Sequence, residues 1–422
     1  MENSWKVFTS TLIPHVNELK HKNHKKRIYK SLLKMFYLQL LKANESYISQ
    51  KHNIQIIHSP VENIHTIGIK SLLQNKTFLP VKILDFISKE TEFQTNFQFK
   101  IRKQKFRVSM YSYASQLRDT NHFKQLEAYC KMIYMWFHVI MLYKKTSIKC
   151  NENINIHIFM TPFKKELPRS NALVLGPKHV NSGFTTLCSN NNSSIVIYRS
   201  EEWFKVLCHE TFHHFNLDFH DVNMLDVQDK ISKLFHIRSH YLLYESYCEF
   251  WATLWNSMIQ SFTNTNLSFD DFHQKYFQLI EDEKLFSCFQ LAKIMHHNSL
   301  HYKVLIENKN TRLYKEESNV FAYYVIKSIL LHNDDLFMKL LNTINKNILR
   351  FESTQQNIEL LCNFIKAYYT NNHFINKIGV FEKILDNIDH KKIPDSLKTL
   401  FLTLNMTLHT HHAHHIHNTN DK

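Results

Sequence analysis

The chain has 422 residues, 44% hydrophobic and 13% aromatic, with only 4 Gly and 7 Pro, which excludes a low-complexity or turn-dominated chain and predicts long regular elements, chiefly helices. By length it could hold two or three domains, and a single two-lobed unit is expected. The net charge of +15 favours anionic partners, so nucleic acid is a possible partner on charge, but no basic and aromatic interleaving marks a nucleic-acid motif.

The seven cysteines, Cys130, Cys150, Cys188, Cys208, Cys248, Cys288 and Cys362, are odd in number and contain no CxxC pair, which fits a reduced intracellular protein better than a disulfide framework. The N-terminus lacks the pattern of a secretory signal. The most apolar stretch, 132–143, is too short to span a bilayer. A soluble, cytoplasmic protein without membrane contact is expected.

In chain order, residues 1–50 show apolar positions at helical spacing in SWKVFTSTLIPHVNELK and KRIYKSLLKMFYLQLLKAN, predicting two helices in a mainly helical region over 1–90. From 93 the period becomes two: Phe97, Phe99 and Ile101, then Phe106, Val108 and Met110 across the polar RKQK, predict a β-hairpin. Residues 119–145 return to helical period and turn apolar all round, predicting a core helix. Three extended segments follow, at 154–161, 179–187 and 193–199, separated by loops with Pro162, Pro168, Pro177 and an Asn run at 190–192. One sheet backed by one helix is expected. Ser200 is the expected N-cap of the next helix, with Glu201 and Glu202 in its first turn. A helical stretch near 226–236 precedes a second long helix, capped by Ser239, and the chain from 261 to about 408 is helical in period. Residues 409–422 form a His-rich tail predicted to be disordered.

The helix after Ser200 contains His209-Glu210-Thr-Phe-His213. Histidines four apart project from one helix face and can hold one ion, while Glu210, about 100° round the helix, is placed to act on water beside it. Zinc suits two imidazoles plus a carboxylate. In a chain with 29 histidines chance alone would produce such a string about one time in ten, so by itself it is a moderate signal and context has to support it. The next long helix provides that context in Glu245-Ser-Tyr-Cys-Glu249, set among Leu242, Leu243, Trp251, Leu254 and Trp255. Two acids on one face of an apolar helix are costly to bury unless a cation meets them. Glu245 is the expected third ligand, with Glu249 accepting a hydrogen bond from a ligand histidine; the reverse assignment stays open.

These motifs resemble the gluzincins, metallopeptidases with HExxH on one helix and ExxxD on the next; here the second motif reads ExxxE, with Glu249 at the usual aspartate. The resemblance covers roughly 150–260. It implies an α+β, mostly helical fold with a zincin-like core over 91–260: a small mixed sheet, a backing helix, an active-site helix and a ligand helix. Helical parts would flank the core at 1–90 and 261–408. It implies a Zn2+-dependent peptidase acting on peptide or protein substrates, with Glu210 as general base. An edge strand over 179–187 would lie near the cleft, where Gly183 would let an extended peptide approach; a bulge or turn at Gly183 is the alternative. An oxyanion donor is also implied, Tyr323 or Tyr324 first, then Tyr314, His236 and His240, although aromatic core positions explain these tyrosines as well.

Other histidines, His214, His220, His296 and His297, are read as solvated or satisfied core residues, the tail histidines as adventitious metal binders, and Cys208 as core. The Asn-, Lys- and Ile-rich composition is similar to that of proteins from large DNA viruses with AT-rich genomes, which would place the protein in host cytoplasm or virion. The competing reading is a non-enzymatic basic helical scaffold or nucleic-acid-binding protein carrying a chance HExxH. Hydrolysis of another bond type by the same chemistry is a third.

Overall fold

Alternation of apolar and polar residues over 91–113 produces a long antiparallel hairpin, β2 (Thr91–Ile101) and β3 (Gln104–Tyr113), and the rest of a six-stranded mixed sheet is built outward from it. The computed structural model describes residues 1–13, 19, 27–61, 78–144, 153–187, 194–262, 268–307, 312–389 and 393–410. The Asn run at 190–192, Cys150, Cys188 and the tail from 411 lie outside these. Strand order is β1-β2-β3-β4-β6-β5, with β1 (Gln55–Pro60), β4 (Asn153–Thr161), β5 (Gly183–Thr185) and β6 (Ser194–Arg199). The pairings β3·β4 and β4·β6 are parallel; the others are antiparallel. The protein is therefore mixed α+β and mainly helical.

One sheet face, carrying Phe97, Phe99, Phe106, Val108, Ile154 and Ile156, is buried against α4 (His122–Ile140), whose Phe137 ring lies 4.5 Å from Phe106. That helix is apolar nearly all round because it is covered on its other side too: Trp136 Nε1 donates to Thr211 Oγ1 of α5 (Trp203–His214), 2.9 Å away, and the Trp136 ring meets Trp255 of α7 (Leu243–Ser261). The opposite sheet face is covered over one half by α3 (Val81–Glu90), where Ile83 and Ile87 pack with Tyr111, Phe159, Val196 and Tyr198. N-terminal helices α1 (Glu2–Leu12) and α2 (Arg27–Gln50) join the same core as the C-terminal helices, as when Trp5 meets Phe286 and Phe381. Among the described residues no helix is long and apolar enough to cross a membrane.

Several local expectations need correction. The 1–90 region contributes β1 to the sheet; its half-exposed edge position leaves only weak alternation to read. Residues 179–187 are not one strand: Pro177 starts a helical turn, Pro177–Val180, and only Gly183–Thr185 pairs with β6. Ser200 caps nothing. The chain turns at Glu202, with φ of 57°, and α5 starts at Trp203, so Glu201 and Glu202 enter the interior instead of facing solvent in a first turn. Ser239 likewise caps nothing, since α7 begins at Leu243 after an extended Leu242. Residues 321–326 wind as a π-helix that continues into α9 (Lys327–His332). On either side of α7 in sequence lie α6 (Met224–Phe235) and α8 (Phe269–His297). Finally, His409 is not in a free tail but buried, its Nδ1 3.0 Å from Glu2 Oε1.

Candidate metal centre

Strand β6 leads within three residues into α5, and α5 packs against α7, so the two motif helices face each other beneath the edge strand β5. The four-residue spacing turns His209 and His213 to one side of α5. Their Nε2 atoms lie 2.9 Å apart, and Glu245 Oε2 from α7 is 3.1 Å from His209 Nε2 and 3.3 Å from His213 Nε2. Three donor atoms at the corners of a triangle of this size suit one tetrahedral ion with metal–ligand distances of about 2.0–2.2 Å.

The outer nitrogens explain why the inner ones converge. His213 Nδ1 is hydrogen-bonded to Asp218 Oδ2, and His209 Nδ1 lies 2.8 Å from Glu249 Oε1, slightly off the line of a well-formed bond. Each carboxylate faces Nδ1 as acceptor for its N–H and leaves the Nε2 lone pair free for a cation, the arrangement that orients histidine ligands. Glu245 and Glu249, one turn apart, thus reach the two opposite sides of the histidine pair, Glu245 inside the triangle and Glu249 behind it. The donor set and its supports fit a zinc ion.

Glu249 is itself clamped. Its second oxygen forms an ion pair with Lys205 Nζ, both side chains being almost wholly buried. Burial opposes ionisation of Glu249, but Lys205 and His209 outweigh it and hold its pKa far below the usual carboxylate range. Burial likewise opposes a charged Glu245, and the two imidazoles depress its pKa to about 2. For His209 burial favours the neutral ring, yet Glu245 and Glu249 raise its pKa overall, so a proton competes for the cation's place. Burial raises the pKa of Glu210, in the direction a proton acceptor working near neutrality requires.

A cleft of about 530 Å³ opens over these residues and is lined by His209, Glu210, His213, Glu245, Tyr323 and the β5 residues Gly183, Phe184 and Thr185. Gly183 is needed for close packing: a Cβ there would lie 2.9 Å from both Val196 O and Val206 Cγ1, and 3.3 Å from Glu210 Oε1. The β5·β6 ladder has no register shift, so the bulge alternative for Gly183 does not hold. Tyr198 N donates to Ser182 O and Thr186 N to Ser194 O, which turns the amides and carbonyls of the intervening Gly183 and Thr185 toward the free edge.

The tyrosine pair separates. Tyr323 OH lies 3.2 Å from Glu245 Oε2 on the cleft wall, whereas Tyr324 OH donates to Leu404 O and is a core residue, because successive helical positions point about 100° apart. Tyr314 bonds Glu316, and His240 faces Gln228; neither they nor His236 line the cleft. His214 is a satisfied core histidine, 2.8 Å from Thr186 O, and Cys208 is buried core.

Two residues of the site were not singled out from the sequence. Asp218, beyond the end of α5, bridges two histidines, since its Oδ1 accepts from His220 Nδ1 at 2.5 Å while Oδ2 accepts from His213. His220, read above as an unproductive histidine, lines the cleft with a fifth of its side chain exposed. The spacing H-x4-D-x-H was the available signal, but the chain reverses after His214, and nothing local in the sequence announces that. Comparison with protein-family models, curated proteins and solved structures returned no match for this chain.

Proposed function

We propose that the protein is a zinc-dependent metallopeptidase of the gluzincin type, with a zincin-like core. The single observation that carries this reading is the convergence of His209 Nε2, His213 Nε2 and Glu245 Oε2, each imidazole backed at Nδ1 by its own carboxylate. A helical scaffold with a chance HExxH has no reason to bury four carboxylates around two histidines.

In this reading His209, His213 and Glu245 hold the ion, which when bound supplies Lewis acidity to water and to the scissile carbonyl. The free edge of β5 receives an extended peptide by backbone pairing through Gly183 and Thr185, holding the carbonyl over the histidine pair. Glu210, on the same wall as Gly183, accepts a proton from the attacking water and passes it to the leaving amine. Tyr323 and His220, both lining the cleft, are the hydrogen-bond donors available to the developing oxyanion. The hydrogen bond from His220 Nδ1 to Asp218 raises the His220 pKa against partial burial and so favours the imidazolium, whose Nε2–H is the donor.

Metal analysis of protein lacking residues 411–422 tests the proposal. One zinc per chain is expected, lost in His209→Ala/His213→Ala and kept in Glu210→Gln, which should lack peptidase activity. Zinc retained without the two histidines, or full activity in Glu210→Gln, would overturn it.

A further inference from the structure

The half of the outer sheet face that α3 leaves uncovered has a composition of its own. The register aligns rows across the strands: Gln55, Gln98, Arg107 and Asn155 in one, Lys100, Lys105 and Asn153 in the next. Lys100, Lys105 and Arg107 are exposed, and the hairpin tip adds exposed Arg102 and Lys103. Lys100 and Lys105 stand directly opposite each other, about 5 Å apart at Cβ, a like-charge pairing that destabilises a sheet. Among the described residues none of the three face cations has an ion-pair partner, and no position in these rows is a carboxylate.

A destabilising pair of cations, kept on an open face among amide side chains, is explained by an anion that lies across it. We propose that this face binds single-stranded nucleic acid, with Lys100, Lys105 and Arg107 on phosphates and the Gln and Asn side chains within reach of unpaired base edges. Along β3, Lys105 and Arg107 are two residues apart, a repeat of about 6.8 Å that lets each meet a different phosphate. An acidic polypeptide fits less well: the two rows carry no apolar side chain, the neighbouring row adds only the exposed Ile57, and protein partners need apolar or aromatic anchors. No aromatic ring stands on the rows, so binding lacks a stacking contribution and is salt-dependent and tolerant of base sequence. The proposal is independent of the peptidase reading, because the face lies on the hairpin end of the sheet and shares no residue with the metal cleft.

The test is fluorescence anisotropy of the full chain with a labelled oligothymidylate of about 16 nucleotides, titrated between about 50 and 200 mM salt. Lys100→Glu/Lys105→Glu/Arg107→Glu should weaken binding at least about ten-fold at the low salt and reduce the slope of log K against log salt by about 2. Lys339→Glu/Lys346→Glu/Lys383→Glu, an equal charge change at other exposed positions, should have a much smaller effect. Since all six positions are exposed, unchanged melting temperatures are expected for both variants. An equal loss in the two triple variants would reduce the effect to net charge and overturn the proposal. Poly-glutamate binding as tightly as the oligonucleotide would overturn it in favour of an acidic polypeptide partner.

Discussion

Glu249 is held between His209 Nδ1 and the Lys205 ammonium, with both Glu249 and Lys205 at most 3% exposed, so under the proposed function it would serve stability and metal binding at once. Glu249→Ala leaves Lys205 as a buried cation without its carboxylate, a defect of about 3–5 kcal/mol. It also removes the acceptor that orients His209, which should lower zinc affinity about 10–100-fold. The two effects separate in Lys205→Met/Glu249→Gln, where no charge is stranded and the Gln oxygen can still accept from His209. Urea unfolding of chelator-treated protein measures the first effect, and competitive zinc titration the second. The single variant should lose most of the stated stability, while the double variant should recover the larger part of it and bind zinc better than Glu249→Ala. If Glu249→Ala and the double variant are equally stable, the pair is not coupled as the geometry requires. If zinc affinity is unchanged in Glu249→Ala, the orienting role of Glu249 fails.

The segment 404–409 runs through the interior: Glu202 accepts from the Met406 and Thr407 amides, Glu283 from Leu408 and His409, and Lys327 donates to Met406 O. Charge-bearing hydrogen bonds contribute about 1.5–3 kcal/mol each against a folded margin of about 5–15 kcal/mol. A chain ending at Thr403 should therefore show no cooperative unfolding and no stoichiometric zinc, whereas one ending at Thr410 should match the full protein; equal behaviour by calorimetry would refute this. Glu2 and His409 define a pH window: the His409 partner and other contacts hold the Glu2 pKa at about 2 despite burial, and Glu2 and Glu283 raise that of His409. The depressed Glu2 contributes above its unfolded value of about 4.5 and loses its contribution as pH falls toward 2; the raised His409 contributes fully below about 6.5 and fades as pH rises through its folded value. The destabilisation of Glu2→Gln, measured by melts, should peak between about pH 4.5 and 6.5, and a pH-independent loss would refute the pair. Tyr323→Phe should lower kcat about 10²–10³-fold with little change in KM, if Tyr323 rather than His220 is the principal oxyanion donor. Tyr324→Phe should leave kcat alone and cost about 1–2 kcal/mol, because Leu404 O loses its donor. Equal activity losses in the two variants would contradict their separation.

The convergence of the candidate ligands was legible because helical geometry is local: a four-residue spacing puts His209 and His213 on one face whatever else the chain does, and the same holds for Glu245 and Glu249. The hairpin, the core helix over 122–140 and strands β4 and β6 were legible for a related reason, since burial on one or all sides leaves a periodic apolar signature. Strand β1 escaped because none of its residues is buried, so no periodic apolar signature marks it. The cap expected at Ser200 failed because acidic residues in a polar context look solvated, and only tertiary structure provides the buried Lys165 that pairs with Glu202.

What no local pattern could decide is which residues meet across the fold. That Glu245 reaches the Nε2 atoms and Glu249 the Nδ1 of His209 depends on how α7 lies against α5, and that Tyr323 rather than Tyr324 lines the cleft depends on the rotation of a π-helical turn against α7. Asp218 and His220 enter the site through a chain reversal, and Met406 through a segment nearly two hundred residues distant from α5. Periodicity records how much of an element is buried. The partner that buries it is set by long-range packing and by the need of each interior charge for a counter-charge.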